Sequence, residues 1–161
     1  MTTELETPRL RLVLDSTQAV LDRIAALSDS DRAHVSPIWL ERMRNSPPSP
    51  WTHGFAMVER ASGVTVGSCG FRGPPDADGI VEIAYGVHEV QRGRGFAREA
   101  AAALVDFALG AGARVVCAHT LPEPNTSTRV LEACGFIRTG EVVDPEDGLV
   151  WRWEFVPGAS T

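Results

Sequence analysis

The chain has 161 residues, 43% of them apolar, with 15 arginines, no lysine, 21 acids and a net charge of −6. One domain over residues 1–161 is the natural unit, since domains peak near ~100–150 residues, and a chain this long needs neither disulfides nor a metal to fold. An acidic chain without a basic cluster is excluded as a wrapper of nucleic acid, where phosphate neutralisation supplies most of the affinity.

Met1 to Arg11 carries acids early and has no apolar run after a basic start, so it does not read as a signal peptide. No window approaches the ~18 apolar residues of a membrane span, and a cytoplasmic protein without a membrane partner is expected. Leu10, Leu12 and Leu14 alternate with Arg9, Arg11 and Val13, which predicts a first strand with one core face. Ser16 can cap a helix in which Val20, Ile24 and Leu27 fall at i, i+4 and i+7. A second helix is expected over Pro37–Arg44, with Ile38, Trp39 and Met43 as its apolar members. After the Pro/Ser stretch Ser46–Pro50, Gly54–Glu59 and Val64–Phe71 read as a hairpin turning at Ala61-Ser62-Gly63. Ile80–Val90 is a third strand-like run. Phe96–Leu109 is an Ala-rich helix with Phe96, Ala100, Leu104, Phe107 and Ala108 on one face, stopped by Gly110 and Gly112. Val115–His119 is a short buried-type strand, and Asn125–Cys134 is a last helix with Gly135 in the C′ position. Phe136–Val143 and Leu149–Val156 are strands joined by the turn Asp144–Gly148. Strands that meander first and then alternate with helices predict a mixed α/β sheet.

The stretch Tyr85-Gly86-Val87-His88-Glu89-Val90-Gln91-Arg92-Gly93-Arg94-Gly95-Phe96-Ala97 ends a strand, turns through Gly and Arg, and begins a helix. Backbone N–H groups at such a turn have no helical partner, and the helix dipole adds positive potential, which makes an anion site. Gly93 and Gly95 let the backbone approach a bulky diphosphate, and Arg92 and Arg94 can add charge-assisted hydrogen bonds. The plain alternative is a strand-to-helix turn with solvated arginines. A P-loop is ruled out because its lysine has no counterpart in a chain without lysine. A dinucleotide fingerprint from Gly93 would need glycine where Arg98 stands, and an acid where His119 and Thr120 stand.

Arg92-Gly93-Arg94-Gly95-Phe96-Ala97 resembles the R/Q-x-x-G-x-G/A signature of the GNAT superfamily of N-acetyltransferases, which bind acetyl-coenzyme A. Thr7-Pro8-Arg9-Leu10-Arg11-Leu12 is similar to the opening strand of the branch that includes the ribosomal-protein N-terminal (alanine/serine) acetyltransferases. Val81-Glu82-Ile83-Ala84-Tyr85 is similar to its fourth strand, and Asn125-x-Ser127-x-Arg129-Val130-Leu131-Glu132-x-x-Gly135-Phe136 to its last helix. The resemblance runs from Thr7 to Phe155. It implies a mixed, mostly antiparallel sheet of about seven strands with about four helices and splayed central strands, here Ile80–Val90 and Val115–His119. It implies acetyl-coenzyme A as co-substrate, an amine acceptor (a protein N-terminus or a small molecule) and no metal, and it leaves a homodimer open. Residues Gly93 to Arg98, Phe96 and Ala97 among them, would wrap the diphosphate. Tyr85, Gly86 and Val87 would pair with the pantetheine as an added strand does, the Val87 N–H polarising the thioester carbonyl. Asn125, with Ser127 beside it, would reach the coenzyme from the last helix, and Asn125 equally suits an N-cap.

Acetyl transfer to an amine needs a base, because a typical amine is protonated at neutral pH. Glu82 alternates with Ile80, Ala84, Gly86 and His88, a charged group among small neighbours; the alternative is a structural carboxylate paired with an arginine. His119, at a strand end, is the second candidate, with a hydrogen-bonded structural role as its alternative. Many relatives carry a tyrosine acid in the last helix where Leu131 stands here; Ser127, a water, or no acid at all is left to serve. Cys69, Cys117 and Cys134 are odd in number and without a CxxC spacing, which argues against disulfides and zinc. Cys117 and Cys134 fall on buried-type positions with nothing to activate them, so direct attack on acetyl-coenzyme A is expected, without an acyl-enzyme. Trp151 and Trp153 share one strand face and suit packing, whereas Trp39 suits a wall of the acceptor pocket. A non-catalytic acyl-coenzyme A binding or sensing domain is the rival reading.

Overall fold

The computed structural model describes residues 4–33, 35–145 and 148–156. In chain order the elements are β1 (Glu4–Glu6), β2 (Leu10–Leu14), α1 (Thr17–Ala25), α2 (Asp29–Arg32), α3 (Pro37–Arg44), β3 (Phe55–Glu59), β4 (Thr65–Phe71) and β5 (Ile80–Val87). Then come α4 (Phe96–Gly110), β6 (Val115–Thr120), α5 (Thr126–Ala133), β7 (Ile137–Asp144) and β8 (Gly148–Phe155). The strands form one sheet of eight in the order β1-β2-β3-β4-β5-β6-β8-β7. Every pairing is antiparallel except β5 with β6, which are parallel because α4 carries the chain back between them.

The expected mixed sheet is present, with one more strand and one more helix than anticipated. The extra strand, β1, is three residues long with two glutamates, and only its pairing with β2 makes it a strand. The extra helix, α2, is a single turn capped by Ser28 that buries nothing, so it leaves no periodic signal. In α3, Met43 is fully buried but Ile38 is 72% exposed, so Ile38 is not a core residue of that helix. Strand β5 stops at Val87 instead of Val90. His88 donates the last ladder bond, to the Val66 carbonyl, after which Glu89–Gln91 forms a 3₁₀ turn that leaves Val90 exposed. Part of the turn expected over Asp144–Gly148, at Glu146 and Asp147, lies outside the described residues.

The core lies between α4 and one face of the sheet. Phe96, Ala100, Ala101, Leu104 and Ala108 are all essentially inaccessible, and they pack on Leu10, Leu12, Val81, Ile83 and Val116. The run of buried alanines lets the α4 backbone sit close on the strands, as dense interior packing requires. Trp51, Phe71 and Phe107 stack at centroid distances of 4.7–5.8 Å and tie the irregular Ser46–Trp51 loop to this layer.

The feature that positions the site is a split in the sheet. Strands β5 and β6 pair only at Ile80 with Val115, Val81 with Val116 and Glu82 with Cys117. Beyond Glu82, β5 keeps its partner β4 through Val87, while β6 turns to β8 through Thr120.

Candidate active site

Alternation along β5 decides which backbone groups face the split. Arg72 donates its N–H to the Glu82 carbonyl, and His88 donates to the Val66 carbonyl. Those two bonds set the parity of the antiparallel ladder: even-numbered residues of β5 bond to β4, and odd-numbered residues aim their N–H and C=O the other way. Tyr85 and Val87 therefore present backbone groups to the space that β6 has left. The Nε of Arg92 already donates to the Val87 carbonyl at 3.2 Å, which leaves the Val87 N–H as the outward group.

A cavity of about 420 Å³ occupies this space. The structure gathers around it Tyr85, Gly86, Val87, Arg92, Gly93, Gly95, Phe96, Ala97, Arg98, Asn125 and Ser127, together with Gln91, Thr126 and Val130, which the sequence reading did not single out. Gly95 is the N-cap of α4 at φ +84° and has no side chain to cap the helix, whose first intrahelical bond is Glu99 N–H to the Gly95 carbonyl. The N–H groups of Phe96, Ala97 and Arg98 are left as donors at the positive end of the helix dipole. Gly93 stands at φ +80° with open space where a Cβ would be. Asn125 caps α5 with its carbonyl oxygen, accepting from Thr128 N–H at 3.0 Å in a reciprocal capping box, so its amide NH₂ stays available to donate.

Arg94 is placed elsewhere. Its guanidinium pairs with Glu59, donates to Gln91 at 2.7 Å and lies over the Phe96 ring at 4.5 Å, outside the cavity lining. Arg9 stacks on the same ring at 4.9 Å and pairs with Glu99. Burial pushes the Glu99 carboxyl up, but hydrogen bonds from Thr7 and Arg9 and the Arg9 charge outweigh it and hold it below the usual carboxylate range. These two arginines brace the turn against β2 and β3.

A second cavity, of about 790 Å³, meets the first at Tyr85 and Gly86. Ala84 and Gly86, on the face of β5 turned away from the α4 core, contribute to its lining, and so do Arg72, Phe71 and the expected Trp39. The Trp39 indole N–H is used by the Thr52 carbonyl at 3.0 Å. The cavity is also lined by a buried residue the sequence did not flag, His53. Its Nδ1 accepts from the Ser49 N–H, so Nε2 carries the proton that faces Thr17 Oγ1 at 2.9 Å. Burial, opposed by the Asp15 charge, holds this imidazole below its ordinary value.

Glu82 and His119, taken separately from the sequence, are hydrogen-bonded to each other: His119 Nδ1 lies 3.0 Å from Glu82 Oε2. The parallel register that puts Glu82 beside Cys117 brings His119 onto the same face. Arg72 Nε approaches the same carboxylate oxygen at 3.1 Å. The carboxylate thus has both the arginine partner of its structural alternative and the imidazole of its rival. Neither Glu82 nor His119 lines either of these two cavities; Arg72, which lines the second one, connects them to it.

Leu131 is 1% exposed in the core, so its helix offers no acid there. The chain's single tyrosine, Tyr85, reaches the Ser127 carbonyl at 3.5 Å, and burial with the nearby Cys134 pushes its hydroxyl up to about 12. Burial also pushes the thiols of Cys69 up to about 12, Cys117 up to about 11 and Cys134 upward. Cys134 is half-exposed, not buried as expected, because α5 ends there and its Sγ meets the Arg98 carbonyl. Trp153 is buried and donates to Thr120 Oγ1 at 3.0 Å, and Trp151 carries the Arg138 guanidinium at 4.0 Å. Among the described residues no group of His, Cys, Asp and Glu is placed to hold a metal ion, and no helix is long and apolar enough to cross a membrane.

The acetyltransferase (GNAT) domain family matches residues 11–137. An uncharacterized N-acetyltransferase of Bacillus subtilis, YjdG, is 28% identical over 113 residues, 68% of this chain and 66% of that protein. Among solved structures, a GNAT-family acetyltransferase from Bacillus anthracis superposes with a TM-score of 0.72 at 18% identity, covering 95% of this chain and 98% of that one. The ribosomal-protein-S5-alanine acetyltransferase of Vibrio fischeri gives 0.69 at 14% identity, covering 99% and 100%. The microcin C7 self-immunity acetyltransferase MccE, in complex with acetyl-CoA and AMP, gives 0.66 at 14% identity and covers 93% of both chains.

Proposed function

The chain belongs to the GNAT acetyltransferases, and on that premise we propose that it moves the acetyl group of acetyl-coenzyme A directly to an amine. The observation that carries this reading is the pair of outward backbone faces at Tyr85 and Val87, beside a split that runs to the uncapped start of α4. Acetyl-coenzyme A supplies an activated thioester. The N–H groups of Phe96, Ala97 and Arg98, with Arg92 and Arg98 side chains and the Asn125 amide, bind its diphosphate end. Tyr85 and Val87 hold the pantetheine as an added strand, and the Val87 N–H donates to the thioester carbonyl oxygen as negative charge builds there.

The acceptor enters from the second cavity. Its ammonium first gives a proton, through water, to His119 Nε2; the neutral nitrogen then attacks the carbonyl carbon, the C–S bond breaks, and the second amine proton passes through water to the departing thiolate. Glu82 accepts from Nδ1–H and fixes that tautomer, and Arg72, against the same carboxylate oxygen, holds it in position. The thiolate leaves without a dedicated acid. No cysteine intervenes, since all three thiols are held protonated.

Mass spectrometry of the protein incubated with acetyl-coenzyme A and a panel of peptides, amino acids and small amines tests this. Equal amounts of free coenzyme A and acetylated amine are expected. Binding of acetyl-coenzyme A without any acetylated amine would favour the sensing domain instead.

A further inference from the structure

The second cavity carries information about the acceptor. Among the described residues its charged lining consists of two guanidiniums, Arg23 and Arg72, and one carboxylate, Asp144, which is itself engaged. Arg23 is committed as well: it pairs with Asp15, a carboxylate only 6% exposed that could not be left alone in the core. His53 adds no charge, because its Nδ1 is an acceptor for the Ser49 N–H.

Arg72 differs from the others. It leaves β4 opposite Glu82 and meets that carboxylate edge-on through Nε, with 66% of its side chain still exposed. A guanidinium carries five N–H donors in a planar fork, and contact through Nε leaves the far edge of the fork for a ligand. An acceptor that enters through this cavity passes within reach of Arg72, and so does whatever is attached to its amine. Trp39 offers apolar surface for a side chain.

Resting on the acetyl-transfer reading above, we infer that the acceptor is an amine bearing its own carboxylate, a free amino acid or a close analogue, and that Arg72 reads the carboxylate. Arg72 is then a specificity residue, worth a charge-assisted, two-pronged hydrogen bond to the correct substrate and nothing to its neutral analogue.

The test compares each standard amino acid with its carboxamide, which keeps the amine and side chain and loses only the negative charge. Binding is measured by calorimetry on protein saturated with coenzyme A. The best-bound amino acid should bind about tenfold or more tightly than its carboxamide. Arg72→Gln should bring that ratio close to one, and Arg72→Lys should restore part of it. Equal or tighter binding of carboxamides throughout, no binding of any amino acid, or a ratio that survives in a coenzyme A-competent Arg72→Gln variant would each overturn the inference. Turnover of the same panel is read separately. Acid-selective binding with no acetylated product would remove the transferase reading and leave the acid-reading cavity standing, whereas product formed equally from the carboxamides would do the reverse.

Discussion

A carboxylate shared by an arginine and a histidine has two jobs that one substitution can separate. Glu82→Gln keeps the size of the side chain but neither orients the His119 imidazole as an acceptor-ready base nor balances Arg72. Turnover at neutral pH should fall by roughly 10²-fold, with partial recovery as pH rises and the amine deprotonates itself. Affinity for acetyl-coenzyme A should stay near that of the unchanged protein. His119→Gln should lose about as much, and the double variant little more, because the two residues act as one unit. Strict additivity of the two losses, or full turnover with a lowered melting temperature alone, would leave Glu82 and His119 as structural residues. Each was legible in the sequence as a lone candidate on a strand. Their contact was not, because it joins positions 37 residues apart through a parallel register that no local pattern encodes. The Arg94 ion pair was not legible for a similar reason: its charge partner, Glu59, belongs to a strand 35 residues away. His53 was missed because its network comes from an irregular loop and α1, where no periodicity points at it.

At the scale of elements, the split depends on how closely β4 and β5 approach. A Cβ on Gly67 would lie 2.2 Å from the Gly86 carbonyl oxygen and 2.9 Å from the Val87 Cα. Gly67→Ala must push β5 off β4 where Val87 faces the split, so it should cost ~1–3 kcal/mol of stability and weaken coenzyme A binding together. Denaturant titration beside calorimetry reads both; loss of stability with untouched affinity would detach Val87 from the site. Gly95→Val should act differently. At φ +84° a side chain is strained, and its Cβ would lie 2.9 Å from the Arg9 guanidinium, whose flexible end can yield. The variant should fold with ~1–2 kcal/mol less stability and bind coenzyme A at least tenfold more weakly, ~1.4 kcal/mol or more. The long elements were readable because their apolar residues repeat at 2 or 3.6 and their ends carry caps, as Ser16, Asn125 and Gly135 show. Short β1 and α2 have neither enough length for a period nor a buried face, and only the neighbouring chain makes them regular.

For the molecule as a whole, acid stability should follow its buried titratable groups. Burial holds His53 below the ordinary imidazole value of 6.5, so below that pH the unfolded chain binds a proton that the fold does not. Stability should be level between 6.5 and the ordinary thiol value of 9.0, decline as pH falls through 6.5, and decline further below 4.5 as Glu99, held low by Thr7 and Arg9, takes up its proton. Melting temperatures across this range should lose the first decline in His53→Gln and keep the second; an unchanged first decline would place its origin elsewhere. The account of the whole fold nevertheless rests on one proposition, that the parted strands β5 and β6 receive acetyl-coenzyme A between them. Residue-resolved amide hydrogen exchange, with and without saturating acetyl-coenzyme A, tests it most directly. Ala84 and Gly86, whose N–H groups point to β4, should be protected in both states, while Tyr85 and Val87 should exchange readily alone and slow markedly with the coenzyme. A Val87 amide already protected in the free protein, or one that exchanges at the same rate when acetyl-coenzyme A is bound, would contradict the account.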